Sequence, residues 1–182
     1  DGDNDLFVSA YRARAPGGER SGVIYLFSGE AVRGARDEAF AADLASALIV
    51  GNRDDDGLRE VATADLDGDG QAEIIITVSG PGSGAQLRAY RQDGSLLAAS
   101  SAIGIGYRWR NMMAAAPFGP NGELELVDVL TPHLSGTVEF FQLNGDRLEQ
   151  TASISGYTSH VIGSRNLDLA LAADVDADGA VE

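Results

Sequence analysis

Four segments of the sequence share one acidic, glycine-containing pattern, and this repetition constrains the fold more than any other feature. The two complete copies are Asp65–Glu73 (the second loop, DLDGDGQAE) and Asp174–Glu182 (the fourth loop, DVDADGAVE). Pro117–Glu125 (the third loop) keeps the glycine and the last glutamate, and Asp1–Asp5 (the first loop) has only the later half. Recurrence of one motif along a chain indicates an array of similar structural units.

Strand-like segments flank the loops in a regular order. In the second repeat they are Glu60–Ala64, Ile74–Val78, Gln86–Arg91 and Leu96–Ser100. In the third repeat they are Met112–Ala115, Leu124–Val129, Gly136–Leu143 and Leu148–Ile154. The dipeptides Asp93-Gly94 and Asn144-Gly145 favour hairpin turns, because these residues tolerate positive φ. The repeats therefore predict an all-β fold, a β-propeller of four-stranded antiparallel blades, with about three blades' worth in this chain.

The repeat boundaries predict one propeller segment over residues 1–182. Its repeats span roughly 1–57, 58–106 and 107–166, and a further repeat starts at 167–182. Leu167–Ala173 is predicted as the first strand of that further repeat, and the Ala-rich stretch Ala35–Leu48 predicts a helical turn. We expect the chain to be a fragment of a longer propeller. The alternative is self-association through the incomplete terminal blades, in a two-fold dimer of six blades.

The charge of the chain excludes some classes of partner. The net charge is −15, from 28 acidic and 13 basic residues. Binding to a nucleic-acid backbone or an anionic membrane needs clustered lysine and arginine, so we expect neither partner. The sequence has no cysteine, which excludes disulfides and thiolate metal sites. No apolar run reaches the roughly 18 residues of a membrane span, so no membrane insertion is expected.

The two complete loops have the residue types of a calcium site. Ca²⁺ takes 6–8 oxygen ligands, and acids at alternate positions of a tight loop can converge on one ion. The predicted ligands of the second loop are Asp65, Asp67, Asp69, Gln71 through its backbone carbonyl, and Glu73. The predicted ligands of the fourth loop are Asp174, Asp176, Asp178, Ala180 through its backbone carbonyl, and Glu182. An EF-hand is rejected, because Ile76 stands where that motif needs an acid at position 12.

The other two loops differ from these. The third loop has no acid at its first two ligand positions and is predicted not to bind a metal ion. The first loop keeps Asp1, Asp3 and Asp5, and its metal binding is left open.

The loops and their flanking segments resemble the FG-GAP or VCBS repeat of integrin-α-like propellers. In those repeats a D-x-D-x-D-G-x-x-D/E loop joins the first and second strands of a blade. After such a loop come a second strand, a turn of small residues and a third strand. The segments that are similar to these three elements, in that order, are Leu6–Tyr11, Ala15–Gly18 and Gly22–Phe27. The sequence departs from the pattern in the third loop and in having no clear Phe-Gly pair before each loop.

The resemblance implies a secreted, periplasmic or cell-surface module for binding or adhesion, with calcium as a structural ion and an unidentified protein or carbohydrate ligand. One alternative is the propeller part of a secreted polysaccharide-active enzyme. Another is a structural or filament subunit. The step from fold to function here is an analogy between folds.

No catalytic residue is nominated. His133 and His160 are far apart in sequence and lack the spacing of a zinc site, so incidental or structural roles are expected. The aromatic and basic cluster Tyr107–Arg110 is expected to pack at a strand end, with stacking on a sugar or peptide as the alternative. Ser164–Asp168 is interpreted as a polar turn.

Overall fold

The computed structural model describes residues 5–10, 13–14, 20–34, 45–51, 57–106, 108–134, 136–164 and 168–182. The elements in chain order are β1 Leu6–Ala10, β2 Val23–Phe27, α1 Gly29–Gly34, β3 Ala47–Val50, β4 Gly57–Ala64, β5 Glu73–Gly80, β6 Gly84–Tyr90, β7 Leu96–Ala99, β8 Arg110–Ala116, β9 Glu125–Leu130, β10 Thr137–Asn144 and β11 Arg147–Ser155.

The strands form one three-stranded and two four-stranded antiparallel units. Strands β1, β2 and β3 make the first sheet, in that order. Strands β4 to β7 make the second blade, and β8 to β11 make the third blade, each in chain order. A single parallel pair, Ala99 with Arg147, joins the last strands of the two blades. The first strands, β4 and β8, are also in contact.

The predicted fold is confirmed. The chain is all-β and has the architecture of a partial β-propeller with four-stranded antiparallel blades. Each of the eight strands predicted for the second and third repeats is present, with bounds that shift by a few residues. Gly94 and Gly145 have φ of 83° and 62° in the turns where the sequence predicted them.

One local prediction is wrong. Residues 168–173 do not form a strand, because the backbone bonds here, from Leu169 to Ser159 and between Ala173 and Glu182, do not form the ladder of pairs that a strand needs. The helical turn predicted within Ala35–Leu48 stays a prediction. A short helix lies just before it at Gly29–Gly34, where the Ser28 hydroxyl accepts a hydrogen bond from the Ala31 N–H at 3.2 Å. Residues 35–44 lie outside the described part, and the stretch ends in β3.

Alternation along β5 explains how the units pack. Ile75 points into an apolar cluster shared by the second and third blades, together with Met112 and Leu126 of the third blade. Its neighbour Ile76 points the opposite way, into a cluster with Ile24 of the first sheet. Successive side chains of a strand face opposite sides, so one strand contributes to both interfaces. The second blade is thus covered on both faces.

None of the helices in the described ranges is long and apolar enough to cross a membrane.

Candidate metal-binding loops

The second and third loops occupy the same corner of their blades. Each joins the first strand to the second, and each is closed by an equivalent strand pair, Ala64 with Glu73 and Ala116 with Glu125. The fourth loop is closed in the same way. There the two N–H groups of Ala173 and Glu182 donate to each other's carbonyls at 3.2 and 3.0 Å. One backbone frame therefore underlies all three loops.

The second loop is held by carboxylates that accept hydrogen bonds from its own backbone. Asp65 accepts from the N–H groups of Gly68 and Gly70 at 2.9 and 3.0 Å. Both glycines have positive φ, 76° and 86°, which a residue with a side chain rarely adopts. Glu73 is 2% exposed and accepts from the Leu66 N–H at 2.8 Å. The first and last acids of the motif therefore fold back over the loop.

The two middle acids of the second loop also bond to nearby backbone. Asp67 accepts from the Asp69 N–H at 3.2 Å, and Asp69 accepts from the Gln71 N–H at 2.8 Å. Arg91 lies 3.7 Å from an oxygen of Asp67. Both side chains are partly exposed to solvent, so the contribution of this pair to stability is small.

The fourth loop repeats this bonding with a different sequence. Asp174 accepts from the Gly179 N–H at 2.9 Å, as Asp65 does from Gly70. Glu182 accepts from the Val175 N–H at 2.9 Å, as Glu73 does from Leu66. Ala177 occupies the place of Gly68 and keeps a positive φ of 64°. An alanine held in this conformation indicates that the surrounding bonds, and not glycine alone, define the loop.

These bonds bring carboxylates together. One carboxylate oxygen from each of Asp65, Asp67 and Glu73 lies within 4.8 Å of the others. The fourth loop gathers four such oxygens within the same distance, from Asp174, Asp176, Asp178 and Glu182. Two ligands on opposite sides of a calcium ion are about 4.6–5.2 Å apart, so each group fits within one coordination shell. The chemistry also fits, because calcium prefers oxygen ligands.

Some predicted ligands are not part of these groups. Asp69 is absent from the group of the second loop, although its counterpart Asp178 belongs to the group of the fourth. The backbone carbonyls predicted at Gln71 and Ala180 stay predictions.

The third loop builds the same corner without a group of carboxylates. Asn121 donates to Glu123 from its backbone N–H at 2.9 Å and from its side chain at 2.7 Å. These bonds hold the pKa of Glu123 below its ordinary value. Gly122 keeps the positive φ, 82°. Glu125 accepts from the Thr151 hydroxyl at 2.7 Å, on β11 at the far side of β10, where Glu73 instead bonds within its loop.

The first loop lies mostly outside the described residues. Asp1 and Asp3 belong to the part that is not described, and Asp5 accepts a hydrogen bond from the Gly29 N–H at 3.2 Å. Its metal binding stays open.

Sequence reasoning missed a buried ionic cluster inside the third blade. Arg110 donates to Asp128 at 2.8 Å and to Glu139 at 2.5 Å, and all three side chains are buried. Burial raises the pKa of Asp128 to about 7 despite the favourable charge of Arg110, and burial also raises the pKa of Glu60. The available signal was an acid between Val127 and Val129, in a strand where the other repeat has isoleucine.

A second missed feature is an aromatic cluster at the other end of the blades. The rings of Trp109 and His133 are 5.3 Å apart, and each lies 5.5 Å from the ring of His160. The sequence did not pair these residues, because they come from three different connections. Tyr107 and residues 165–167 of the predicted polar turn lie outside the described part.

Comparison with known families supports the repeat assignment for one part of the chain. Residues 58–90 match the family model of the FG-GAP repeat. This range contains the second loop and the greater part of the strands on either side of it, together with β6. Comparison with curated proteins and with solved structures found no match.

Proposed function

We propose that this chain is a calcium-binding β-propeller module that acts outside the cell in binding or adhesion, with calcium in a structural role. One observation carries the calcium proposal. The second and fourth loops have different sequences, yet both fold through the same backbone-to-carboxylate bonds and gather carboxylates within 4.8 Å. Like charges at this separation repel each other, and a divalent cation would offset that repulsion.

The third loop supports the same interpretation by contrast. It makes the same corner with a glycine at positive φ and with hydrogen bonds from Asn121 to Glu123. The corner of a blade therefore does not require a group of carboxylates. The acids of the other two loops need another reason, and cation binding supplies one.

In this proposal Asp65, Asp67 and Glu73 hold one ion, and Asp174, Asp176, Asp178 and Glu182 hold the other. A bound ion would supply positive charge at the point where the carboxylates meet. Glu73 links that point to the interior, because it is buried and belongs to β5. The ion would thereby fix the angle between the first two strands of the blade.

The expected energy is modest. Extracellular modules bind calcium with Kd of about 10⁻⁴–10⁻³ M. At about 1 mM calcium, each site would then stabilise the folded state by roughly 0.4–1.4 kcal/mol. Such a site firms a corner of a blade but does not drive folding by itself. The match to the FG-GAP repeat and the acidic charge are in keeping with a module outside the cell, where calcium is abundant.

Thermal unfolding with calcium and with a chelator tests the proposal. We expect about 1 mM calcium to raise Tm by roughly 1–6 °C for each site. The paired substitutions Asp65→Asn with Asp67→Asn, and Asp174→Asn with Asp176→Asn, should each remove one part of the shift. Asp93→Asn is the matched control, because Asp93 is an exposed turn acid outside both groups. An unchanged Tm, with no calcium-binding heat in calorimetry, would contradict the proposal.

A further inference from the structure

The blade ends opposite the acidic loops carry a cluster of cationic and aromatic side chains. The second and third loops follow the ends of β4 and β8. Trp109 instead precedes β8, His133 lies between β9 and β10, His160 follows β11, and Arg59 is near the start of β4. The cationic aromatic cluster consists of Arg59, Arg108, Trp109, His133 and His160. Each of these side chains is partly exposed.

The contacts within this cluster are close. The guanidinium carbon of Arg59 lies 5.1 Å from the centre of the Trp109 ring, within the range of a cation–π interaction. The indole N–H of Trp109 donates to Nδ1 of His133 at 3.0 Å. The His133 and His160 rings meet edge to face at 5.5 Å. Side chains from both blades are thus brought to one place.

The backbone holds His133 in a strained turn. Thr131 has φ of 44°, a conformation that is rare for a β-branched residue, and its N–H donates to the Trp109 carbonyl at 3.0 Å. Strain of this kind costs of order 1–3 kcal/mol and is often found at functional sites.

The segment that carries His160 is tied to the same place. The Thr158 hydroxyl bonds to the Pro132 carbonyl and accepts from the His160 N–H, the latter at 3.2 Å. The buried side chain of Asn111 donates to the buried Ser159 hydroxyl at 2.7 Å. The positions of both imidazoles are therefore fixed by neighbouring hydrogen bonds.

The electrostatic surroundings of the cluster differ from those of the whole chain. The net charge of the chain is −15. The charges that act on His133 nevertheless come from His160, Arg108 and Arg59, all of which carry or can carry positive charge. Burial and these cations lower the pKa of His133. Two arginines beside the rings of Trp109 and His133 give this part of an acidic chain a local preference for an anion.

We propose that the cationic aromatic cluster binds an acidic saccharide through a uronate residue. Arginine and imidazole N–H groups suit a carboxylate, and aromatic rings suit the apolar C–H face of a sugar. A uronate carries both features on one compact ring, on the scale of the 5 Å contacts in the cluster. The carboxylate of an acidic peptide is carried on a short flexible stem that would leave the rings uncovered. This inference rests on the proposed binding role but not on calcium.

Fluorescence of the sole tryptophan, Trp109, provides a direct test. A trimer of galacturonic acid is titrated into the calcium-loaded protein, and a neutral galactose trimer and a short polyglutamate peptide are titrated in parallel. We expect a saturable change in emission with the acidic trimer alone. Arg59→Gln should weaken binding about tenfold. His133→Gln, on a different blade, provides a second variant if Arg59→Gln does not fold.

The matched control is Arg147→Gln, which removes an exposed arginine at the opposite end of the third blade and should leave binding unchanged. No saturable change, an equal response to the neutral trimer, or tighter binding of the peptide would overturn the inference. Binding that is lost in chelator but survives Arg59→Gln and His133→Gln would place the saccharide at the acidic loops and would also overturn it. The calcium-dependent Tm shift is measured separately, so failure of the calcium proposal is recognised independently.

Discussion

The second and third blades share one strand order and register, yet equivalent interior positions have opposite chemistry. In the second blade Leu58 and Ile76 are buried in an apolar cluster. In the third blade the same positions hold Arg110 and Asp128, which form an ion pair at 2.8 Å. Both solutions are buried, so the backbone accepts either apolar contact or charge. The comparison shows that the blade fixes the space available to these two side chains but not their polarity. Charged side chains are tolerated in that space only when they are paired.

The corners of these two blades make the same comparison at the surface. The second loop gathers three carboxylates, whereas the third loop bonds Asn121 to Glu123. The backbone needs only the closing strand pair and a glycine at positive φ. The backbone of the corner therefore forms with or without a group of carboxylates, just as the interior of a blade forms with or without an ionic cluster.

The largest expected effect comes from breaking the ionic cluster of the third blade. Arg110→Leu leaves Asp128 and Glu139 buried without their cation, and should destabilise the fold by about 3–5 kcal/mol. The triple variant Arg110→Leu, Asp128→Ile and Glu139→Gln copies Leu58 and Ile76 of the second blade and removes the charge of Glu139, and it should recover most of that loss. Urea unfolding measures both. A triple variant no more stable than the single one would show that the two interiors are not interchangeable.

The same comparison predicts a pH dependence that arises at Asp128 of the third blade. Burial raises the pKa of Asp128 to about 7, so the folded state holds this proton more tightly than the unfolded state does. The resulting stability is complete below the ordinary aspartate pKa and is lost as pH rises through about 7. Ile76, the counterpart in the second blade, cannot titrate.

Asp128→Asn should therefore lose less stability than the parent between about pH 5 and pH 8. Urea unfolding in chelator measures this, with the facing groups Arg110, Glu139 and Glu60 retained in both proteins. Equal slopes in the two proteins would contradict the assignment to Asp128.

Substitution of the last glutamate of each loop, Glu73 or Glu125, should distinguish the second loop from the third. Glu73→Ala removes the acceptor of the Leu66 N–H, and Glu125→Ala removes the acceptor of the Thr151 hydroxyl. Each should cost roughly 1.5–3 kcal/mol in chelator, because each bond involves a charged partner. We expect the added stability in calcium to fall with Glu73→Ala alone. A reduced calcium effect in Glu125→Ala would mean that the third loop also binds the ion.

The smallest effect is expected from giving the third loop the acids of the second. The variant Pro117→Asp, Gly119→Asp, Asn121→Asp and Glu123→Gln makes this exchange. A Cβ at position 119 would lie 2.5 Å from the Glu123 carboxylate, so this side chain has to move. The last change removes its charge, which would otherwise repel the new aspartates. We expect a new calcium-dependent stabilisation of roughly 0.4–1.4 kcal/mol by differential scanning calorimetry. If calcium does not stabilise this variant more than the parent protein, the acidic residues alone do not account for calcium binding.

Most of the local structure was predictable from the sequence. A short apolar run rich in β-branched residues defines strands such as Glu73–Gly80, and glycine-containing dipeptides define the hairpin turns, because both signals act between near neighbours. The bounds of the strands and the geometry of residues 168–173 were less predictable, because they depend on which backbone partners are available. The convergence of carboxylates in the second loop follows from short-range bonds, as in Asp65 to Gly70.

The sequence by itself thus determined the blades, their corners and the residue types of the candidate ion sites, since these depend on contacts within a few residues or between adjacent strands. The tertiary structure alone decided which distant side chains meet. Arg110 on β8 reaches Glu139 on β10 across β9, and Trp109, His133 and His160 meet although they lie on three separate connections. Such contacts depend on the register and stacking of whole blades, so no spacing in the sequence encodes them directly.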